Sequence, residues 1–174
     1  MKNLEISTKS IEIKRLISFI RSFYKSQELL IINTFIKKGH LIADINLEFN
    51  EDGKIKKNFN INGFVRNGKI DLFKKYKFEK INFNFEIENK KTQIQGLAFF
   101  YNELDLFIKN INTQSINNEI FVDGEFNTKD FEIEEKFLKN FIDEYIFNFQ
   151  KLNFDSNNLF SFKLDNKFKV KDLK

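Results

Sequence analysis

The most regular feature of the chain is the alternation of apolar and polar residues over residues 80–95, KINFNFEIENKKTQIQ. Ile81, Phe83, Phe85 and Ile87 occupy one parity, whereas asparagine and glutamate dominate the other. Successive side chains of a β-strand point to opposite faces of the sheet. The spacing therefore predicts a strand with one apolar face and one polar face.

The same two-residue period recurs along most of the chain. It predicts strands at 4–6, 11–13, 41–49, 55–65, 70–72, 92–98, 104–108, 111 onward, 120–126, 131–133, 160–164 and 168–170. Turns are predicted at NEDGK (50–54), at ENKK (88–91) and at Asn117-Asn118, and Asn67-Gly68 is the strongest hairpin signal. About ten strands at intervals of roughly 8 to 12 residues predict an antiparallel meander.

Three segments depart from this alternation. Leu16, Phe19, Ile20 and Phe23 recur at helical spacing and predict a short amphipathic helix over about residues 14–25. Apolar residues follow i, i+4 spacing in EEKFLKNFIDEYIFNF, which predicts a longer amphipathic helix over about residues 134–149. The segment QELLIINTFIKKGHL (27–41) is apolar on both parities, which suggests a strand covered on both faces.

Three architectures share this pattern. The first is a curved antiparallel meander whose apolar face forms an open groove, and the second is a closed β-sandwich whose aromatic faces bury one another. The third, an outer-membrane barrel, is disfavoured by the absence of tryptophan, the sparse tyrosine and the intervening helix. We predict the first: a mainly β fold with one short and one longer helix.

Composition and charge narrow the class of protein. The 174 residues predict a single β-rich domain, 1–174, or a segment of a longer protein. Twenty-four phenylalanines with no proline, cysteine or tryptophan indicate an A/T-rich genome. The net charge of +4 is spread along the chain without a basic stripe, so nucleic acid is not an expected partner. No apolar run is long enough for a membrane-spanning helix, and the N-terminus does not read as a signal peptide.

Candidate catalytic and metal-binding residues do not form a pattern. His40 is the single histidine, and we interpret it as a solvated residue at a strand start. Glu86 and Glu88 share the polar parity of one strand, where acid–base work would need burial of one of them. NEDGK lacks the alternating ligands of a calcium loop. We therefore expect no enzyme activity, no metal and no cofactor.

A family resemblance adds a function to this description. Residues 43–95, ADINLEFNEDGKIKKNFNINGFVRNGKIDLFKKYKFEKINFNFEIENKKTQIQ, followed by FVDGEFNTKDFEI (121–133), resemble the AsmA-like proteins of bacterial envelopes, of the AsmA, TamB and YhdP type. The resemblance covers about residues 27–133. It implies a periplasmic protein with a long β groove that binds or conducts phospholipid acyl chains and supports outer-membrane and envelope integrity.

The resemblance also implies partners and a location. The family carries an N-terminal inner-membrane anchor that this sequence does not show, so we expect an internal fragment whose membrane contact lies in segments outside this chain. Envelope proteins are expected as further partners. The alternatives are a structural or interaction module built as a closed sandwich without ligand, and a small lipoprotein carrier of lipocalin type.

The groove lining is predicted from the apolar parity of four strands, and its role is to solvate acyl chains. A tail of about 16 carbons costs on the order of 12 kcal/mol to leave in water, which calls for a continuous apolar surface. The predicted lining residues are Ile81, Phe83, Phe85, Ile87, Leu104, Leu106, Ile108, Ile120, Val122, Phe126, Phe160, Phe162 and Leu164.

Overall fold

A computed structural model describes residues 2–23, 30, 33–53, 56, 59–72, 75–88, 90–102, 104–117, 119–135, 151–165 and 169–174. The protein is mainly β, as the alternation predicts. Its described elements are β1 (Lys2–Ser7), β2 (Ile11–Glu12), α1 (Ile13–Phe23), β3 (Ile36–Phe49), β4 (Asn60–Leu72), β5 (Tyr76–Glu88), β6 (Lys91–Tyr101), β7 (Leu104–Ile116), β8 (Glu119–Glu134), β9 (Lys151–Leu164) and β10 (Val170–Lys171).

All ten described strands belong to one antiparallel sheet. Their order is β1-β3-β4-β5-β6-β7-β8-β9-β10, and β2 pairs with β3 beside β1. The sheet is curved and unclosed, so the predicted curved meander is confirmed. A sandwich would need two stacked sheets, whereas every strand in the described part of the chain lies in the same one.

Helix α1 confirms the predicted short amphipathic helix. Glu12 lies just before its first turn and accepts from Arg15 at 2.8 Å, while Arg21 lies in the last turn, where a cation interacts favourably with the helix dipole. Ile17 is 7% exposed and Phe19 on the other side is 63% exposed. The helix thus buries Ile17, whereas Phe19, which the spacing placed on the apolar stripe, lies mostly in solvent.

The hairpin predicted at Asn67-Gly68 is wrong, because β4 runs through both residues. Val65 pairs with Phe83 and Gly68 pairs with Ile81, so β4 carries one extra residue there and forms a bulge. Asn67 has φ 50° and its amide donates to Oδ1 of Asn82 at 3.1 Å. The positive φ of Asn67 accommodates a bulge and not a chain reversal.

Several predicted strand ends are also wrong. Residues 70–72 continue β4, residues 104–116 form the single strand β7, and residues 119–134 form the single strand β8. Of the segment predicted as a strand over 27–41, residues 33–35 are helical and β3 begins at Ile36. The longer predicted helix falls almost wholly on 136–150, outside the described residues, and Glu134 ends β8.

The other three predicted turns, at 50–54, at 88–91 and at Asn117-Asn118, are confirmed over their described residues. Gly53 has φ 79° and its amide donates to the carbonyl oxygen of Asn50 at 3.0 Å. Asn117, with φ 50°, follows the end of β7. Lys90 lies in the turn between β5 and β6. Short polar turns between long strands keep sequence neighbours adjacent in the sheet.

Candidate functional site: an apolar sheet face with an open cleft

The strand register places all thirteen predicted lining residues on one face of the sheet. Across β4 to β9, directly paired residues share a face, and Phe85 is linked through Ile94 and Ile111 to Gly124 and Phe160. The same face holds, by register and alternation, Ile81, Phe83, Phe85, Ile87, Leu104, Leu106, Ile108, Ile120, Val122, Phe126, Phe160, Phe162 and Leu164.

A concerted break keeps this face continuous between β6 and β7. Ile94 pairs with Ile111 and Leu97 pairs with Ile108, so both strands shift parity at the same level. Gly96 has φ 60°, a conformation that glycine adopts without steric cost and that marks bulges in strands. Because both strands shift together, Ile94 and Leu97 of β6 stay on the same face as Ile108 and Ile111 of β7.

Much of this apolar face is open. The buried apolar residues of the described part are Ile17, Ala43, Val65, Ile81 and Val122. The chain exposes 13240 Å², whereas a folded monomer of 20.9 kDa typically exposes about 9000 Å². Such an excess is typical of a single unstacked sheet, and no second sheet stacks on the apolar face within the residues that the structure describes.

An apolar cleft of about 480 Å³ lies over β3 to β6 and is bounded at one end by Ile13 of α1. Four predicted residues line it, namely Ile81, Phe83, Phe85 and Ile87. The nine predicted residues of β7, β8 and β9 lie on the same sheet face but outside this cleft. The rest of the lining is Ile13, Ile36, Lys38, Leu41, Val65, Gly68, Ile70, Thr92 and Ile94.

Most of these additional residues carried a sequence signal. Leu41, Val65 and Ile94 lie on the apolar parity of their strands, so registering neighbouring strands would have added them. Lys38 carried none, because it shares parity with the polar residues of β3. Gly68 contributes space, since a Cβ there would lie 2.9 Å from Cβ of Ile81.

Two glycine–phenylalanine pairs fix the packing of the apolar face. Gly63 pairs with Phe85, whose Cζ lies 2.8 Å from the position a Cβ on Gly63 would take. Gly124 pairs with Phe160 in the same way, and a Cβ there would also lie 2.6 Å from the carbonyl oxygen of Asn110. Each ring therefore lies over bare backbone of the next strand, which holds it down against the sheet.

A separate aromatic cluster joins β5 and β6 at the start of β5. Phe78 stacks on Tyr101 with centroids 5.0 Å apart and meets Phe99 edge-on at 5.7 Å. Tyr76 lies 6.5 Å from Tyr101. Such pairs contribute about 0.5–1.5 kcal/mol each beyond area burial. The cluster stabilises the pairing between the start of β5 and the end of β6.

The opposite face of the sheet is mainly polar and carries several ion pairs. Lys69 donates to Glu79 and thereby lowers the pKa of that carboxyl group below its ordinary value. A hydrogen bond of 3.2 Å from Nζ of Lys109 to Oε1 of Glu125 likewise lowers the pKa of that carboxyl group. Aromatic rings on this face lie under cations, as Phe100 does under Lys80 at 4.8 Å.

The described residues hold no cluster of three or more histidine, cysteine, aspartate or glutamate side chains arranged for a metal ion. His40 is exposed in β3, opposite Glu12 and Arg66. Within the same residues, no helix combines the length and the hydropathy that crossing a bilayer requires. Comparison with protein-family models, with curated proteins and with solved structures finds no match to this chain.

Proposed function

We propose that this chain binds acyl chains along the apolar face of its sheet and is a segment of an AsmA-like envelope protein. The observation that carries the proposal is the continuity of that face over β3 to β9 together with its exposure. A closed core would seal these side chains, whereas Phe83, Phe85, Phe160 and Phe162 all retain partial exposure.

The dimensions of the face suit a lipid tail. Seven strands spaced about 4.8 Å apart span roughly 29 Å. One leaflet of the ~30 Å hydrocarbon core of a bilayer is about 15 Å thick, which sets the reach of a single tail. Each methylene that leaves water contributes about 0.8 kcal/mol, so uninterrupted contact over many carbons is needed to hold a tail. A continuous apolar strip supplies such contact without gaps between sites.

The location follows from the resemblance of residues 43–95 and 121–133 to AsmA-like proteins. We propose a periplasmic segment that is anchored to the inner membrane through a part of the protein outside this chain. In this role the segment conducts phospholipids between membranes and works with other envelope proteins. Its function is binding and transfer, without catalysis and without a cofactor.

Native mass spectrometry of the purified chain tests the proposal. Expression in a bacterial host and gentle ionisation should yield adducts with the masses of phospholipids or fatty acids, which disappear on delipidation and return when lipid is added. A protein that shows only its bare mass after incubation with phospholipid vesicles, while it remains folded by circular dichroism, would contradict the proposal. That result would favour a module whose sheet face contacts another protein.

A further inference from the structure

Three polar side chains form a hydrogen-bonded network on the apolar side of β8 and β9. The register pairs Phe126 with Asn158 and Thr128 with Ser156. Because Phe126 belongs to the apolar face, Asn158 shares that face, and Thr128 and Ser156 follow two residues further along their strands. The hydroxyl oxygens of Thr128 and Ser156 lie 2.8 Å apart, and Nδ2 of Asn158 donates to Oγ of Ser156 at 2.7 Å. These three residues are the Asn158 network.

The Asn158 network offers an uncharged hydrogen-bonding group at the surface. Thr128 is 8% exposed, whereas Asn158 is exposed. A carboxamide carries two N–H donors and one carbonyl acceptor, and in the described part of the chain Ser156 engages one of those donors. The nearby carboxylates of Glu125 and Asp155 are out of phase with Asn158 and belong to the opposite face. A neutral amide of this kind suits an uncharged acceptor such as an ester carbonyl.

Asn158 lies at one end of a row of paired residues that crosses the sheet to β6. It pairs with Phe126, Phe126 pairs with Ile108, and Ile108 pairs with Leu97. These three apolar side chains are all partly exposed. Three strand spacings of about 4.8 Å give roughly 14 Å from β9 to β6, close to the ~15 Å that a tail spans in one leaflet of a bilayer. Since Ile94 of β6 lines the apolar cleft, a tail that starts at Asn158 reaches the cleft.

We infer that the Asn158 network binds the ester linkage of a bound lipid and thereby fixes the direction in which the tail lies on the sheet. The inference rests on the proposed function and adds to it the polar group that is recognised. Nδ2 of Asn158 donates to the ester carbonyl oxygen, while Ser156 and Thr128 hold the amide in position. The tail then crosses β8 and β7, and its methyl end lies at the cleft over β3 to β6.

Paramagnetic broadening of amide NMR signals tests the direction on the unaltered chain. Two uncharged ligands are compared, methyl stearate with a nitroxide close to the ester and methyl stearate with a nitroxide close to the methyl end. The first should broaden the amide of Asn158 most strongly, and the second should broaden the amides of Ile94 and Phe85 most strongly. The reverse pattern, or one pattern for both ligands, would overturn the inference and leave tail binding standing. If neither ligand broadens any amide of the apolar face, the proposed function fails as well.

Asn158→Ala tests the residue itself, with affinity measured by displacement of an environment-sensitive fluorescent probe. It should weaken methyl stearate by about twofold to tenfold, the contribution of one neutral hydrogen bond, and the two nitroxides should lose their distinct patterns. Asn157→Ala is the matched control, because it removes the same amide one residue away on the polar face; it should change neither result. Both asparagines are exposed, so both variants should keep the circular dichroism spectrum of the wild type. A folded Asn158→Ala variant with unchanged affinity and unchanged broadening would overturn the assignment.

Discussion

Replacing Phe85 with aspartate separates a groove wall from a closed core. Phe85 lines the cleft, retains partial exposure and lies over Gly63 on β4. Burying a phenylalanine fully contributes about 1.5–3 kcal/mol. Because the site opens into the cleft, its loss leaves no sealed cavity and the new carboxylate stays hydrated. We therefore expect Phe85→Asp to lower the free energy of unfolding by about 2 kcal/mol and to leave a folded protein.

The same change should weaken tail binding strongly. A ring that covers about three methylenes contributes roughly 2.4 kcal/mol, and a difference of 1.4 kcal/mol is tenfold, so affinity should fall by about fiftyfold. Probe displacement measures the affinity and urea denaturation measures the stability. Asn84→Asp is the matched control, because it adds the same charge one residue away on the polar face; it should change neither quantity appreciably.

Ile81→Asp shows what the same substitution does at a buried position. Ile81 is 5% exposed, so an aspartate there would be an unpaired buried charge, which costs several kcal/mol and should unfold the protein. If Phe85→Asp unfolds the protein as Ile81→Asp does, Phe85 is a core residue and the groove interpretation is wrong. If Phe85→Asp folds and still binds the tail with unchanged affinity, the cleft is not the binding site.

Two further predictions concern the frame of the sheet. Gly63→Ala should lower the free energy of unfolding by about 3 kcal/mol, because its Cβ would strike the carbonyl oxygen of Ile42. Gly53→Ala is the control: no atom lies within 4 Å of the new Cβ, so it should lower that free energy by only about 1 kcal/mol for its positive φ. Equal losses in urea denaturation would refute the steric argument. The pKa of Asp172 should lie below its ordinary 3.8, because Lys163 donates to its carboxylate at 2.6 Å. Since the folded-state pKa is lowered, this ion pair stabilises the β9–β10 pairing above pH 3.8 and is lost as the pH falls through the folded-state value. Titration of the Asp172 carboxyl carbon by NMR measures that pKa, and a value that does not rise in Lys163→Met would contradict the assigned cause.

The faces of the sheet could be read from the sequence because parity is a local property. The alternation in residues 81–87 and 120–126 fixes which side chains share a face wherever the strand is regular. The fold class followed from the number of such segments and from the turns between them. Alternation does not determine the register between strands. Only the structure therefore shows that β5 to β9 share one continuous apolar face.

The misread positions share one physical cause. Asn67-Gly68 favours positive φ, and both a hairpin turn and a bulge use that conformation. Whether the chain turns back is decided by the strands on either side, here β3 and β5. The parity change between Ile108 and Ile111 looked like a strand end for the same reason, since the compensating change lies in β6.

The meander order makes each hairpin a separable unit of the sheet. From β4 to β10 every described strand pairs only with the strands next to it in sequence, so contacts are sequential in the manner of a repeat array. Removing or duplicating one hairpin changes the sheet by two strands. The strands on either side of the change would therefore still pair antiparallel. Duplication or deletion within the gene could therefore lengthen or shorten the sheet in steps of two strands. The area of its apolar face would change in proportion.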